Sequence, residues 1–236
     1  LKIKDGTQLR AIAQALTHFA ASNNGSYPLP SLLDANDATV SGPPESKNTT
    51  ANIMSILVYD NALTPEMYES PMELGNICTY DDYIYDQPGT ANDPANALWD
   101  PAFRADFTDL SQPGHFSYAH QRPTPNENTR WFNTLNANEI ILSTRTPKVS
   151  SVDPKTNKHE IADPLSITFG MHGPARYWEG YVAFADNHVE YVTSLADAVQ
   201  HAPDTSYIDD PAEGDRFLSI FIQSGHSDSD YQPIWD

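Results

Sequence analysis

The chain has 236 residues, enough for one domain with a real core, and a formal charge of −19 from 32 acidic and 13 basic residues. That balance argues against nucleic acid as a partner, because phosphates require a face rich in lysine and arginine. The single cysteine, Cys78, rules out an intrachain disulfide and any zinc site built on several thiolates. No run approaches the ~18 apolar residues of a membrane span.

Residues 5–21, "DGTQLRAIAQALTHFAA", place Leu9, Ile12, Ala13, Leu16, Phe19 and Ala20 at helical spacing, which predicts a helix with one buried stripe. Arg10, Gln14, Thr17 and His18 fall away from the stripe and should be wet. Gly25 and Pro28 mark the stop. The chain starts at Leu1, without Met, directly inside this pattern, and we expect a further segment upstream. A polar loop over 34–50 precedes a short helix over 52–63, where Ile53, Ile56, Leu57 and Tyr59 can share a face. Thr64 and residues 66–69 resemble a helix start that Pro71 ends. From 74 to 128 no periodicity is sustained; this region reads as long ordered loops with a strand over 115–120.

The later part is more regular. Residues 139–145 ("EIILSTR") and 165–169 ("LSITF") read as strands separated by a polar hairpin-like excursion, followed by "GYVAF" and "HVEYV". The last forty residues are acidic and loop-like, apart from an apolar burst over 216–222. A helix followed by a small antiparallel sheet defines an α+β chain.

Between "GYVAF" and "HVEYV", Asp186-Asn187-His188 raises the choice between a site and a turn. With Asp186-Asn187 as the centre of a type I′ turn, Ala185 pairs with His188, Phe184 with Val189, Ala183 with Glu190, and Val182 with Tyr191. Val182, Phe184, Val189 and Tyr191 then share one buried face, and the turn accounts for the whole stretch, whereas a catalytic role accounts for two or three residues.

"VAFADNHVEYV" resembles the C-terminal "vlFaDGHVe" hairpin of bacterial type IV pilin-like proteins, the prepilin-type family with an H-x9-DG motif. Residues 7–33, "TQLRAIAQALTHFAASNNGSYPLPSLL", are similar to that family's exposed half of the long pilin helix and the turn after it. "HFSYAH" sits where the family has an "SY" strand, and "ILSTRTP" through "SITFGMHGPARYWEG" is similar to its "lSDR…S.nH…Gg" stretch. The likeness covers both ends and leaves the middle unplaced. It departs in two places: thirteen residues separate His172 from Asp186, and Asn187 stands where the motif has glycine. Asparagine tolerates left-handed geometry nearly as well, so the turn survives.

The resemblance implies a pilin-like domain over 1–236: the exposed half of the long helix (1–24), a loop-rich insertion (25–138), antiparallel strands (139–195) and an acidic C-terminal region (196–236). It further implies a non-catalytic subunit of a type IV pilus-like or type II secretion pseudopilus filament. Copies would assemble as a helical homo-oligomer, alongside other pilins or secretion components, through an upstream apolar helix that also anchors the precursor in the inner membrane. The assembled fibre would be periplasmic or extracellular. Leu9, Ile12, Leu16 and Phe19 would fix the helix to the sheet.

Other chemistry is weaker. His115, His120, His172 and His188 lack close ligand spacing. The acidic loop over 204–215 suits hard cations, and pseudopilins of the resembled type hold calcium in a C-terminal loop, which makes Asp204, Asp209, Asp210 and Asp215 the calcium candidates. Cys78 lacks an obvious base and reads as a small buried residue; the aromatic "YDDYIYD" stretch over 80–86 could stack carbohydrate but reads first as a segment packing Tyr83 or Ile84 inward. The alternative functions are a secreted or surface module that binds carbohydrate or depends on calcium, and a metal-dependent hydrolase using His172, Asp186 and His188.

Overall fold

The computed structural model describes residues 1–124, 131–153, 158–173, 178–195, 218–225 and 230–235. Four α-helices are present among them: α1 (Lys2–Ser22), α2 (Pro30–Leu33), α3 (Thr50–Tyr59) and α4 (Thr168–His172). The strands are β1 (Tyr118–Gln121), β2 (Ile140–Thr144), β3 (Val149–Asp153), β4 (Lys158–Ile161), β5 (Gly180–Phe184), β6 (Val189–Val192), β7 (Leu218–Gln223) and β8 (Gln232–Ile234). Six of them form one antiparallel sheet in the order β6-β5-β2-β1-β7-β8, and β3 pairs with β4 as a separate hairpin. The α+β expectation of a helix on an antiparallel sheet is met.

The 21-residue α1 buries the stripe that its spacing requires: Leu9, Ile12 and Leu16 are fully enclosed, and Phe19 is half-buried. Burying each large aliphatic is worth roughly 2 kcal/mol. This face lies across β2, β5 and β6. Arg10, Gln14 and His18 are exposed as expected, while Thr17 is half-buried and donates to Asn187 Oδ1 at 2.9 Å. Beyond the helix, Asn24 and Gly25 adopt positive φ (53° and 87°), and the Gly25 amide donates to the Ala20 carbonyl. The Phe132 ring occupies the space a Cβ on Gly25 would need, 2.2 Å away.

The region over 25–138 contributes to the interior. Ile53, Met54 and Leu57 of α3 join Tyr68, Phe103, Phe107, Phe116 and Trp131 in the same apolar cluster as Leu9 and Leu16. The loop over 34–50 is organised by one side chain: Asp34 accepts from the Thr39 and Val40 amides and from the buried Lys47 ammonium, which also reaches Asp37. In the 80–86 stretch Tyr83 is the residue that turns inward, and Ile84 is exposed.

Three expectations are corrected. Residues 165–169 do not form a strand: Asp163 and Ser166 accept amide hydrogens two residues on, a turn chemistry that leads into α4. β8 joins the sheet although Pro233 weakens its strand signal; it sits at an edge, where a missing donor costs little. The β5–β6 register also differs by one residue from the expected one. Ala183 pairs with Val189, Val182 with Glu190 and Tyr181 with Tyr191. Only Asn187 has positive φ (71°), and its amide donates to the Phe184 carbonyl. The bend is therefore a type I turn closed by a left-handed residue, a three-residue loop in place of the two-residue one.

The slip exchanges the faces. Tyr181, Ala183 and Val189 pack toward α1, while Val182 and Phe184 join Ile140, Trp178, Val192 and Leu218 in a second cluster on the other side of the sheet. A bulge in β2 between Ile140 and Leu142 lets the consecutive Ile141 and Leu142 both join the first cluster while Ile140 serves the second.

Arg145 is buried at the end of β2, against the Glu73 carboxylate, the Trp235 carbonyl and the Phe107 ring. His120 on β1 is fully buried too. Its Nδ1 faces the Gln121 carbonyl at 2.6 Å and so carries the proton, leaving Nε2 to accept from the Thr50 hydroxyl at 2.7 Å. That hydroxyl accepts in turn from the Phe221 amide, so one neutral imidazole ties β1 to α3 and β7.

Two measurements check this fold. Burial holds the His120 pKa at about 4 against an ordinary 6.5. A folded value below the unfolded one means that stability is complete above pH 6.5 and is lost as pH falls toward 4, by about 3 kcal/mol for this group. Urea unfolding between pH 7 and 4 should show that slope, and His120→Gln should flatten it. In the hairpin, Asn187→Ala should cost about 1 kcal/mol more than Asn187→Gly, since both lose the Thr17 bond but only alanine strains at positive φ.

Candidate functional site

The first turn of α1 brings a carboxylate into the interior. Asp5 is completely buried, and its Oδ1 accepts from the Ser70 hydroxyl at 2.6 Å and the Tyr118 hydroxyl at 2.8 Å. Its Oδ2 lies 2.8 Å from His172 Nε2, a close contact outside hydrogen-bond geometry. Four separate parts of the chain meet there: α1, the loop at Ser70, β1 and α4. Burial and then the Asp5 carboxylate push the Tyr118 phenol well above its ordinary pKa, so the hydroxyl remains a donor.

Local sequence explains how each group arrives. Gly6 lets the helix approach the sheet so closely that an added Cβ would lie 2.7 Å from the Tyr181 ring. Gln8, one turn on from Asp5, donates to the Glu66 and Glu69 carbonyls and holds the chain that carries Ser70. The rings of Tyr181 and Tyr191 stand edge-on to His172, with centroids 5.8 and 6.0 Å away, and close the cluster from the hairpin side. Tyr191 in turn accepts from Lys2 and donates to Glu179.

A serine, an aspartate and a histidine therefore lie together, but in an order unsuited to nucleophilic catalysis. The carboxylate sits between the other two, so His172 does not receive the Ser70 proton. The cluster is enclosed. Asp5, Ser70, Tyr118 and His172 are all buried, and none of them lines the two surface recesses of about 570 Å³ (one at Asp34, Asp37, Asn92, Asp93 and Asn96, the other at Lys148, Asp163, Ser166 and Trp235) or the smaller groove at Gly6 and Tyr181. What the arrangement does physically is lock the start of α1 to β1 and α4.

The other nominated residues are dispersed. His172 touches the α1 side of the hairpin, whereas His188 stacks on Phe184 at 4.0 Å on the opposite face and pairs with Asp186. The trio His172, Asp186 and His188 is thus not assembled into a site. His115 stacks on Tyr80, and His120 is held in the core. Cys78 is half-buried, and burial, then Glu69 and Asp81, raises its thiol pKa, which disfavours the thiolate. Among the described residues no three histidine, cysteine or acidic side chains converge as a metal site would require. The calcium candidates Asp204, Asp209, Asp210 and Asp215 lie outside the described residues.

Asp5 was missed by sequence reasoning because periodicity assigns a charged residue near a helix start to solvent. The available signal was the absence of an exposed alternative: Asp5, Leu9, Ile12 and Leu16 fall on one helical face. No family model matches the chain, and no curated protein or solved structure matches it either.

Removing the carboxylate should be costly. Asp5→Ala leaves two hydroxyls and His172 without their shared partner and should destabilise the protein by about 3 kcal/mol or more, read from urea unfolding. Asp5→Asn keeps an acceptor for Ser70 and Tyr118 and should cost clearly less.

Proposed function

We propose that this chain is the globular part of a pilin-like filament subunit, non-catalytic, whose α1 continues upstream into an apolar assembly helix. The observation that carries this reading is α1 itself: a long helix laid across an antiparallel sheet, locked at Asp5, whose first turn nevertheless presents Leu1 and Ile3 to solvent at 81% and 83% exposure. Buried anchorage beginning at residue 5, with apolar side chains exposed before it, suits a helix that runs out of the domain toward further packing partners. Among the described residues no helix is long and apolar enough to cross a membrane. In this role the domain decorates the fibre at the cell envelope, joined by copies of itself and by other pilins or secretion components. Calcium in the acidic C-terminal region remains part of the proposal as a stabiliser of loops, held by Asp204, Asp209, Asp210 and Asp215.

A surface binding module is the second reading, favoured by the recess that Asp37, Asn92, Asp93 and Asn96 line, since carboxylates and amides suit sugar hydroxyls. The two are separated by the precursor's sequence. The filament reading expects about 20 consecutive apolar residues directly before Leu1, preceded by a prepilin leader, and an N-terminus trimmed at that leader by mass spectrometry. A polar segment or another folded domain there overturns it.

A further inference from the structure

Charge is unevenly spread over this molecule. The first ten residues carry Lys2, Lys4 and Arg10, and their only carboxylate, Asp5, is buried, in a chain of net charge −19. Lys2 is held by Glu179 and Tyr191, but Lys4 and Arg10 are exposed and have no acidic partner among the described residues. Arg10 lies in a shallow groove of about 240 Å³ with Ile3, Thr7, Tyr181 and Val189, on the flank of α1 that faces the β5–β6 hairpin.

The other flank, toward which Lys4 projects, lies beside a segment rich in carboxylates. Gln8 donates to the Glu66 and Glu69 carbonyls, which fixes that segment beside α1. Gln8 and Arg10 are about 200° apart around the helix, so their flanks face away from each other. Glu66, Asp81, Asp82 and Asp86 are exposed there without a cationic partner among the described residues, around Ile84 and Tyr85, which are 41% and 44% exposed. The Thr79 amide and hydroxyl donate to the Glu69 carboxylate, which holds the start of the 80–86 segment beside residues 66–69.

We propose that these patches are the two halves of one heterologous contact, in which the α1 flank bearing Ile3, Thr7 and Arg10 docks on the acidic patch around Tyr85 of a second copy of this chain. A guanidinium finds both carboxylates and an exposed tyrosine face there, and Ile3 meets Ile84. Because the halves sit on opposite flanks, the contact cannot close on itself as a two-fold dimer and propagates from copy to copy. This deepens the filament reading, on which it rests, by naming the faces that neighbouring globular parts would share.

Sedimentation of the full 236-residue chain at low ionic strength tests it. Concentration-dependent growth beyond the dimer is expected, reversed by salt, weakened about tenfold by Arg10→Glu and regained in Arg10→Glu/Asp86→Arg. Both positions are exposed, and circular dichroism checks that each variant keeps its fold. A chain that stays monomeric at about 1 mM overturns the contact, as does association that Arg10→Glu leaves unchanged or that the double variant fails to regain. The upstream sequence is decided separately: an apolar leader with a monomeric chain sinks this contact alone, and an absent leader sinks the filament reading.

Discussion

The rest of the structure depends on the burial of one carboxylate. Asp5 enters the interior in the first turn of α1, where an ionised group without partners would be prohibitively costly, and it is tolerated because Ser70, Tyr118 and His172 converge on it. Those partners come from distant parts of the chain, so the cluster forms only when α1, β1 and α4 are all in place. Apolar stripes alone would let the helix slide along the sheet at little cost. The carboxylate fixes its axial position.

The same device recurs elsewhere. Lys47 holds the 34–40 loop through Asp34 and Asp37, and Arg145 joins the turn at Glu73 to the backbone of Trp235. The long region between α1 and β2 contains little regular structure, and its backbone donors and acceptors cannot be satisfied by ladders. Buried charges, each bonded to several loop groups, take that role, while Tyr68, Phe103, Phe116 and Trp131 supply apolar area. A loop-rich region can thereby share a core with a helix and a sheet.

This architecture bears on function through what it leaves outside. The polar cluster is sealed and its members are ordered for anchoring, so the informative surfaces are the exposed ones: the cationic, aliphatic start of α1 and the acidic, tyrosine-bearing segment beyond its other flank. A helix locked at residue 5 couples its first turn to β1, α4 and through them to the whole sheet.

Much was legible in the chain by itself. The α1 stripe of Leu9, Ile12 and Leu16, its stop at Gly25, the short helix around Ile53 and Leu57, and a bend at Asp186-Asn187 all follow from local periodicity and turn chemistry, which neighbouring residues determine. The tertiary structure decided the rest. Whether the bend takes two or three residues is a difference of one in register, and it was settled by the second cluster, which draws Val182 and Phe184 away from α1. Residues 165–169 became a turn and helix because Asp163 and Ser166 capture local amides. Asp5, Lys47 and Arg145 were hidden because their burial depends on partners from 34 to 37, 70 to 73, 118 and 172, and no window of sequence contains those meetings.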